Sequence, residues 1–378
     1  MASAEEDDAT IRDDPPSAVE ALADTHKEGR AGEPIGPGTI LDGKYEILRL
    51  IGAGGMGAVF AARHRLLDDT VAIKVLQGKH VLDEDVTRFL REGRTAVSIK
   101  GEHGVRIHDV GTLPSGLPYL VMEYLEGEDL GRVVLARGKL PVDFVIACMM
   151  QVCEVLAEAH GKGIVHRDIK PQNIFLLRGE PHGPKVKVLD FGLAKVISSE
   201  LAAASLAGTI DGALLGSPHF MSPEQIRSAR TVDTRTDVWS LGATMYKLLT
   251  TEPPFTAPSV QRLLVEILMS PPKPLRLART DVSEALEHVV MRCLSKPVED
   301  RFATVAEVGA ALRAATSVAG STRPPAHGNV TAPMPAVAMP VVAQPPNPPH
   351  DEHALQQRKK HHVQLMAVPA PKPHKPDS

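Results

Sequence analysis

A glycine-rich turn near the start of the patterned chain excludes one large fold class and favours another. The run Gly-Ala-Gly-Gly-Met-Gly at 52–57 follows a weakly alternating, strand-like stretch at 45–51. Glycine backbone approaches phosphates closely, and this spacing also fits a dinucleotide-binding turn, which a helix follows. Here an Asp-Asp turn at 68–69 and the apolar stretch 70–76 follow, which leaves no room for a crossover helix. We therefore predict a glycine-rich β-hairpin over phosphates, with Lys74 on the adjacent strand.

Composition excludes several function classes. The 378 residues carry a formal net charge of −4, which argues against non-specific binding to nucleic acid or anionic membranes. No basic start followed by an apolar stretch marks a secretion signal, and no run of about 18 apolar residues offers a membrane span. The 3 cysteines are widely separated and lack metal-ligand spacing. We expect a cytoplasmic protein without a membrane span or nucleic-acid partner, with reduced and mostly buried cysteines.

Shifts in composition mark the domain boundaries. Residues 1–38 are acidic and then rich in glycine and proline, while Pro, Ala and Val without periodicity dominate residues 314–378. Such segments bury too little apolar surface to offset chain entropy, so we predict a disordered acidic arm and a disordered tail. Between them, strand patterns over about 45–122 give way to mainly helical patterns over about 126–313. The stretch 237–250 is apolar on most faces, which predicts a buried central helix.

The stretch His-Arg-Asp-Ile-Lys-Pro-Gln-Asn at 166–173 carries the most concentrated chemistry. Asp168 is a candidate base, Lys170 is a nearby cation, and Asn173 offers an amide oxygen to a metal. Pro171 disfavours helix at the residue before it, so we predict a loop. A salt-bridged surface turn would explain His-Arg-Asp alone equally well.

The ordered set of motifs resembles the eukaryotic-like (Hanks-type) serine/threonine protein kinases of bacteria, over about residues 45–313. The set comprises the 52–57 loop, Val71-Ala72-Ile73-Lys74, Glu92, the 166–173 stretch, Asp190-Phe191-Gly192, Ser222-Pro223-Glu224, Asp237 and Arg301. The resemblance implies an α+β, bilobal protein-kinase fold. The small N-terminal lobe would be an antiparallel sheet plus one helix, and the larger C-terminal lobe mainly helical. It also implies transfer of the ATP γ-phosphate to Ser/Thr hydroxyls of protein substrates, with Mg²⁺ or Mn²⁺.

The resemblance assigns the catalytic and metal-binding roles. Asp168 would accept the proton of the substrate hydroxyl, and Lys170 would neutralise the γ-phosphate. Asn173 and Asp190 would hold Mg²⁺ through oxygen ligands, which this cation prefers. Ser217 stands where the family usually has threonine, and its hydroxyl would bond Asp168 and Lys170.

The resemblance also assigns the ATP site. Lys74 would contact the α- and β-phosphates while it pairs with Glu92 on the helix of the small lobe. The other residues that would cover the phosphates or line the adenine and ribose sites are Ile51, Gly52, Ala53, Gly54, Gly55, Met56, Gly57, Val59, Ala72, Met122, Glu123, Leu125, Asp129 and Phe175.

The segment after Asp190 carries the expected regulation. Arg167 marks, by the same resemblance, kinases activated by phosphorylation of this loop, because an arginine there can bind a phosphate anion. The candidate autophosphorylation sites are Thr209, Ser205, Ser198 and Ser199. Glu224 and Arg301 resemble a buried structural ion pair of the family.

Two other interpretations use the same residues. A pseudokinase would scaffold partners without catalysis, but such proteins usually lack one of Lys74, Asp168 or Asp190, and this chain has all three. A kinase of the same fold acting on a small molecule is less compatible with Lys170 and the 222–224 motif. Dimerisation through the N-terminal lobe is expected by analogy alone.

Overall fold

The structure is a computed structural model, and it describes most of the chain between residues 35 and 321. The described residues are 35–54, 57–76, 86–87, 89–90, 93, 96–113, 115–191, 218–228 and 232–321, of which 54 and 317–321 are described by their backbone only. All of them belong to the first of two compact units, Met1–Pro324.

The N-terminal lobe is built on an antiparallel sheet in the order β1-β2-β3-β4-β6-β5. Its strands are β1 (Ile40–Leu41), β2 (Tyr45–Gly54), β3 (Gly57–His64), β4 (Asp69–Leu76), β5 (Ile107–Thr112) and β6 (Pro118–Glu123). Side chains alternate between the two faces of a strand, so one face collects an apolar layer that includes the fully buried Ile47 and Phe60. On the other face, Phe89 packs against Leu120. Phe89 belongs to residues 86–96, whose described positions are all helical. The predicted sheet and helix are thus both present.

The C-terminal lobe is mainly helical and carries a small sheet in the order β7-β8-β9. Its elements are β7 (Gly127–Asp129), α1 (Leu130–Arg137), α2 (Val142–Gly161), β8 (Ile174–Leu177), β9 (Val186–Val188), α3 (Pro223–Arg227), α4 (Arg235–Thr250), α5 (Val260–Met269), α6 (Leu275–Ala278), α7 (Glu284–Cys293) and α8 (Val305–Ser321). In α4, every side chain except those of Arg235 and Lys247 is buried, so the predicted central helix is confirmed.

Helix α4 anchors the lobe through its tryptophan. Trp239 is fully buried and stacks on Phe255 with ring centroids 5.9 Å apart. The Lys296 ammonium and the Arg301 guanidinium each lie 5.0 Å from the centre of the Trp239 ring. Cations over an aromatic face add to the stabilisation that comes from burying the ring. Residues far apart in the chain thus converge on one side chain of α4.

Side-chain caps set where several helices begin. Asp129, Ser222, Ser259 and Ser283 each accept a hydrogen bond from the backbone N–H three residues on, which satisfies a free donor of the first turn. At Ser222, Gln225 returns the contact to the backbone of the cap. The polar residues before each apolar run therefore fix the helix starts.

The structure moves two predicted boundaries. Order begins before residue 45, because the apolar pair of β1 adds a short strand to β2 and residues 35–38 form the turn that leads into it. The predicted tail at 314 is wrong at its start, since alanine-rich sequence continues α8 to Ser321. Within the predicted strand region, β5 begins only at Ile107, because the Val105 N–H donates to the Val188 carbonyl of β9 and not to a strand of the larger sheet. Residues 1–34 and 322–378 lie outside the described residues, so their disorder stays a prediction.

Cys148, Cys153 and Cys293 are free and buried, as predicted, and burial raises the pKa of the Cys148 and Cys153 thiols to about 12. None of the helices in the described part of the chain combines the length and the apolar content that crossing a membrane requires.

Candidate active site

The glycine-rich turn joins β2 and β3, as the sequence predicts. In the register of these strands, Gly54 lies opposite Gly57 and Gly52 lies opposite Val59. Gly57 has a φ of +136°, which a residue with a side chain rarely adopts. Gly55 and Met56 lie outside the described residues. The hairpin continues into β4, where Lys74 pairs in register with Val59.

Lys74 contacts the carboxylate that follows β9. Its ammonium lies 2.7 Å from Oδ1 of Asp190, and the Lys74 side chain is almost fully buried. Burial raises the pKa of the Asp190 carboxyl, but the Lys74 ammonium outweighs this effect and holds the pKa below its usual range. Asp190 is therefore a carboxylate at neutral pH. The expected partner of Lys74, Glu92, lies outside the described residues.

Asp168 lies at the centre of a second polar cluster. Its Oδ2 accepts hydrogen bonds from the Lys170 ammonium at 2.7 Å and from the Asn173 amide nitrogen at 2.9 Å. The same nitrogen donates to the Asp168 carbonyl at 2.7 Å. Because these bonds use the amide nitrogen of Asn173, its amide oxygen stays available as an acceptor or metal ligand. The two clusters are adjacent, since the Leu189 N–H donates to the Asn173 carbonyl at 2.9 Å.

A buried carboxylate on α4 holds the backbone of the catalytic loop. Oδ2 of Asp237 accepts from the N–H of His166 at 2.9 Å, and Oδ1 accepts from the N–H of Arg167 at 2.7 Å. His160 on α2 contacts Asp237 at 2.8 Å, and Gln225 donates to the Arg167 carbonyl at 2.8 Å. Arg167 has a φ of +69°, which is unfavourable for a side chain of this size, so these contacts compensate strain.

His166 connects the loop to the strand that carries Asp190. Its Nδ1 accepts from the Asp168 N–H at 3.2 Å, so Nε2 carries the proton and donates to the Leu189 carbonyl at 2.8 Å. The ring also packs edge-on against Phe191, with centroids 5.0 Å apart. The histidine is fully buried and makes contacts that fix the loop.

The predicted adenine pocket is partly assembled in one apolar cluster. Ala72 and Met122 are buried there and pack with Val59 and Leu125. Phe175 lies outside this cluster, on β8, where it pairs with Lys187. The structure thus brings together four of the predicted adenine residues, and a place for Phe175 beside them stays a prediction.

Two predicted ATP-binding residues have structural contacts of their own. The Asp129 carboxylate caps α1 through the Arg132 N–H at 2.9 Å. The Glu123 N–H donates to the Arg106 carbonyl at 3.0 Å, so this N–H is already bonded within the protein. The cap uses Oδ1 of Asp129, so a role toward ribose would involve Oδ2, which lies 3.4 Å from the Arg132 guanidinium.

Below the site, the expected ion pair of Glu224 and Arg301 is present. Two nitrogens of the Arg301 guanidinium contact the two carboxylate oxygens at 2.7 and 2.9 Å, and Arg301 is 2% exposed. Arg301 also donates to the carbonyls of Ser295 and Arg235, at 2.8 and 3.1 Å. Such bidentate pairs are geometrically specific, so this one fixes α3 against the helical lobe.

A family model described as protein kinase domain matches residues 45–311 of the chain, which is more than half of its length. The chain belongs to the protein kinase domain family. The described motifs occupy the same span as the match.

Curated relatives in this family are bacterial serine/threonine-protein kinases. Pkn1 of Myxococcus xanthus is 42% identical over 277 residues, which are 72% of this chain and 38% of Pkn1. Pkn3 of the same organism is 38% identical over 276 residues, 72% of this chain and 50% of Pkn3. PknB of Mycolicibacterium smegmatis is 36% identical over 276 residues, 72% of this chain and 43% of PknB. The chain thus spans at most half the length of these relatives.

Solved kinase structures share the fold. The kinase domain of PknI from Mycobacterium tuberculosis superposes with a TM-score of 0.60 at 27% identity, covering 75% of this chain and 99% of that domain. Rad53 residues 1–466, in complex with AMP-PNP, superposes with a TM-score of 0.57 at 25% identity, covering 70% of this chain and 64% of that one. The expected bilobal protein-kinase fold is confirmed.

Sequence reasoning missed several contacts of this kinase site. His160 was not singled out, although it lies six residues before His166 at the end of a helix that leads into the loop. Gln225 and Lys187 were missed as well, because nothing in their local pattern marks a polar contact 58 or 64 residues away. Gly192, Ser217 and the candidate phosphosites at 198, 199, 205 and 209 lie outside the described residues.

Proposed function

We propose that this chain is a serine/threonine protein kinase that transfers the γ-phosphate of ATP to Ser or Thr hydroxyls of proteins. The observation that carries the proposal is the Asp168 carboxylate, held by Lys170 and Asn173 next to the Lys74–Asp190 pair. The names of the relatives support the class of substrate, since Pkn1, Pkn3 and PknB are all called serine/threonine-protein kinases.

The proposed mechanism uses the charges of the site to position the reactants. Asp168 orients the substrate hydroxyl and accepts its proton, while Lys170, which contacts the Asp168 carboxylate at 2.7 Å, neutralises charge on the transferring phosphate. When ATP binds, the Lys74 ammonium leaves the Asp190 carboxylate and contacts the α- and β-phosphates instead. Asp190 and the amide oxygen of Asn173 are hard oxygen ligands that fit Mg²⁺, which supplies positive charge to the phosphates when bound.

The ATP site in this proposal spans both lobes. The backbone of Gly52, Gly54 and Gly57 covers the phosphates, while Val59 and Ala72 lie above the adenine. Met122, Glu123, Leu125, Asp129 and Phe175 complete the pocket. The apolar cluster that already joins Val59, Ala72, Met122 and Leu125 supports this assignment.

Activation by phosphorylation forms part of the proposal. A phosphate on the loop after Asp190 would offer an anion to Arg167, whose backbone is held rigidly by Asp237 and Gln225. Thr209 and Ser205 are the favoured sites, ahead of Ser198 and Ser199. Dimerisation through the N-terminal lobe and a cytoplasmic location stay predictions.

The test is transfer of radiolabel from ATP with Mg²⁺ to a generic basic protein and to the chain itself. Asp168→Asn and Lys74→Met should each lower the rate by about 10²-fold or more, because each removes a charge that the reaction requires. Asp233→Asn and Lys273→Met make the same chemical changes at exposed positions and should leave the rate near wild type. Mass spectrometry of the labelled chain locates the phosphosites.

Two outcomes would contradict the proposal. Wild-type chain that binds ATP but transfers no label would favour a pseudokinase. Label that enters a small molecule but never a protein would favour a small-molecule kinase of the same fold.

A further inference from the structure

A buried lysine outside the predicted site bonds the segment that joins the two lobes. We call residues 123–126, which run from the last residue of β6 to the start of β7, the hinge. The ammonium of Lys187 on β9 lies 2.6 Å from Oε1 of Glu123, and it also donates to the Gly104 carbonyl at 3.2 Å. The Lys187 side chain is 9% exposed and that of Glu123 is 22% exposed. This ion pair therefore crosses from the C-terminal lobe to the hinge.

A short backbone segment also links β9 to Glu123, beside the Lys187–Glu123 ion pair. We call residues 103–106 the bridging segment, and they run beside β9. The Val105 N–H donates to the Val188 carbonyl at 3.1 Å, and the Val188 N–H donates to the His103 carbonyl at 2.7 Å. On its other side, the Arg106 N–H donates to Oε1 of Glu123 at 2.7 Å. Oε1 of Glu123 thus accepts hydrogen bonds from both the Arg106 N–H of the bridging segment and the Lys187 ammonium.

The two ends of this network lead directly into the proposed ATP and metal sites. On β6, Glu123 directly follows Met122 of the apolar adenine cluster. On β9, Lys187 precedes Asp190 by three residues and pairs across the strands with Phe175. A shift of the hinge relative to β9 would therefore change the spacing between the adenine pocket and the Asp190 carboxylate.

We propose that Lys187 is a positioning residue, which locks the hinge to the strand ending at Asp190 through Glu123 and the Gly104 carbonyl. The inference rests on the proposed function, because it assigns the network to holding ATP. A buried ion pair is a poor source of net stability, since desolvation offsets its attraction, but it favours one geometry over others. Fixing the distance between two halves of a binding site is a use that fits this property.

The chain offers a matched control for this ion pair. Lys185 lies two residues earlier, and its ammonium is 2.7 Å from Oε1 of Glu102, just before the bridging segment. The Lys185–Glu102 pair also links the bridging region to the start of β9, but neither residue contacts the hinge. Both of its side chains are substantially exposed. Lys185→Met therefore removes a lysine from the same region without disturbing the hinge contact.

The experiment measures the Kd for AMP-PNP with Mg²⁺ by calorimetry, together with KM for ATP and kcat, on the full chain. Lys187→Met and Glu123→Gln should each raise Kd and KM about tenfold, while kcat at saturating ATP changes less than about threefold. The double variant should be no weaker than the worse single variant, because both remove the same contact. Lys185→Met should match wild type. If Lys187→Met does not fold, the near-isosteric Glu123→Gln carries the test.

Other results would overturn the inference. These are wild-type nucleotide affinity in both variants, additive losses in the double variant, an equal loss in Lys185→Met, or a raised kcat at unchanged KM. Wild type that binds AMP-PNP but transfers no phosphate would contradict the proposed function alone, because Kd still tests Lys187. Wild type that binds no nucleotide would overturn both.

Discussion

At the scale of single residues, one carboxylate organises the catalytic loop. Asp237 is fully buried and accepts bonds from the His166 and Arg167 amides while it contacts His160. Such charge-assisted bonds are stronger than bonds between neutral groups. They are directed at the backbone just before Asp168, so Asp237 sets the position of the candidate base without touching a substrate.

We expect Asp237→Asn to lower kcat by roughly 10- to 100-fold with little change in KM for ATP, because one amide N–H would face an NH₂ group instead of an acceptor. Steady-state kinetics on the purified chain would measure this. Asp233→Asn is the matched control, since Asp233 is an exposed aspartate just before the same helix. A normal kcat in Asp237→Asn would show that the loop keeps its position without this carboxylate.

At the scale of elements, helix α2 holds a loop that comes from the N-terminal lobe. The Glu158 carboxylate accepts from the Lys100 N–H at 2.9 Å and from the Gly101 N–H at 2.7 Å. A Cβ at Gly101 would lie 2.5 Å from Oε2 of Glu158, so a larger residue there would displace the end of this side chain. The backbone bond from Lys100 and the contact with Lys162 hold the pKa of Glu158 below its usual range.

This lowered pKa predicts a pH-dependent stability. A carboxyl whose pKa is depressed by folding stabilises the protein above its unfolded pKa, about 4.5, and loses that effect as the pH falls through the folded value. Glu158→Gln should therefore lower the unfolding midpoint at pH 7, and the difference from wild type should shrink below about pH 4.5. Thermal unfolding monitored by circular dichroism measures it.

The exposed Glu180→Gln serves as the control for this pH series and should track wild type throughout. The result that would contradict a stabilising role of ionised Glu158 is a difference in unfolding midpoint, between Glu158→Gln and wild type, that stays constant from pH 7 to about pH 3.

At the scale of the whole molecule, the candidate site draws its charges from both lobes. Lys74 belongs to the sheet of the N-terminal lobe, and Asp190 follows β9 of the C-terminal lobe. The two bond each other at 2.7 Å, while the proposed function assigns phosphates to one and Mg²⁺ to the other. Under the proposed function, nucleotide and metal replace this ion pair together, so we expect their binding to be cooperative.

AMP-PNP with Mg²⁺ should raise the thermal midpoint of the chain by a few degrees, since a ligand at 100 times its Kd stabilises by about 2.7 kcal/mol. AMP-PNP with EDTA should raise it much less. Asp190→Asn should abolish the Mg²⁺-dependent part of this increase in thermal midpoint, while Asp233→Asn should retain it. An equal shift with and without Mg²⁺ in wild type would contradict the assignment of Asp190 as the metal ligand.

Local patterns predicted much of this molecule. The glycine hairpin follows from strand lengths around 52–57, and the buried helix over 237–250 follows from its apolar faces, so both could be recognised without tertiary information. The partners of Asp237 could not, because they lie 70 to 77 residues away and depend on how α2 and α4 pack. The boundary at Ser321 also escaped, although Gly320 and Pro324 are helix stop signals, because the rise in Pro and Ala from residue 314 indicates the start of a tail.

The buried Trp239 of α4 has a practical consequence for watching the protein unfold. It is the only tryptophan in the chain, and its indole N–H has no hydrogen-bond partner among the described atoms. The intrinsic fluorescence of this tryptophan therefore reports unfolding of the helical lobe and does not report unfolding of the sheet in the other lobe. Circular dichroism reports the secondary structure of both lobes. Coincident transitions by the two probes would mean that the lobes melt as one cooperative unit.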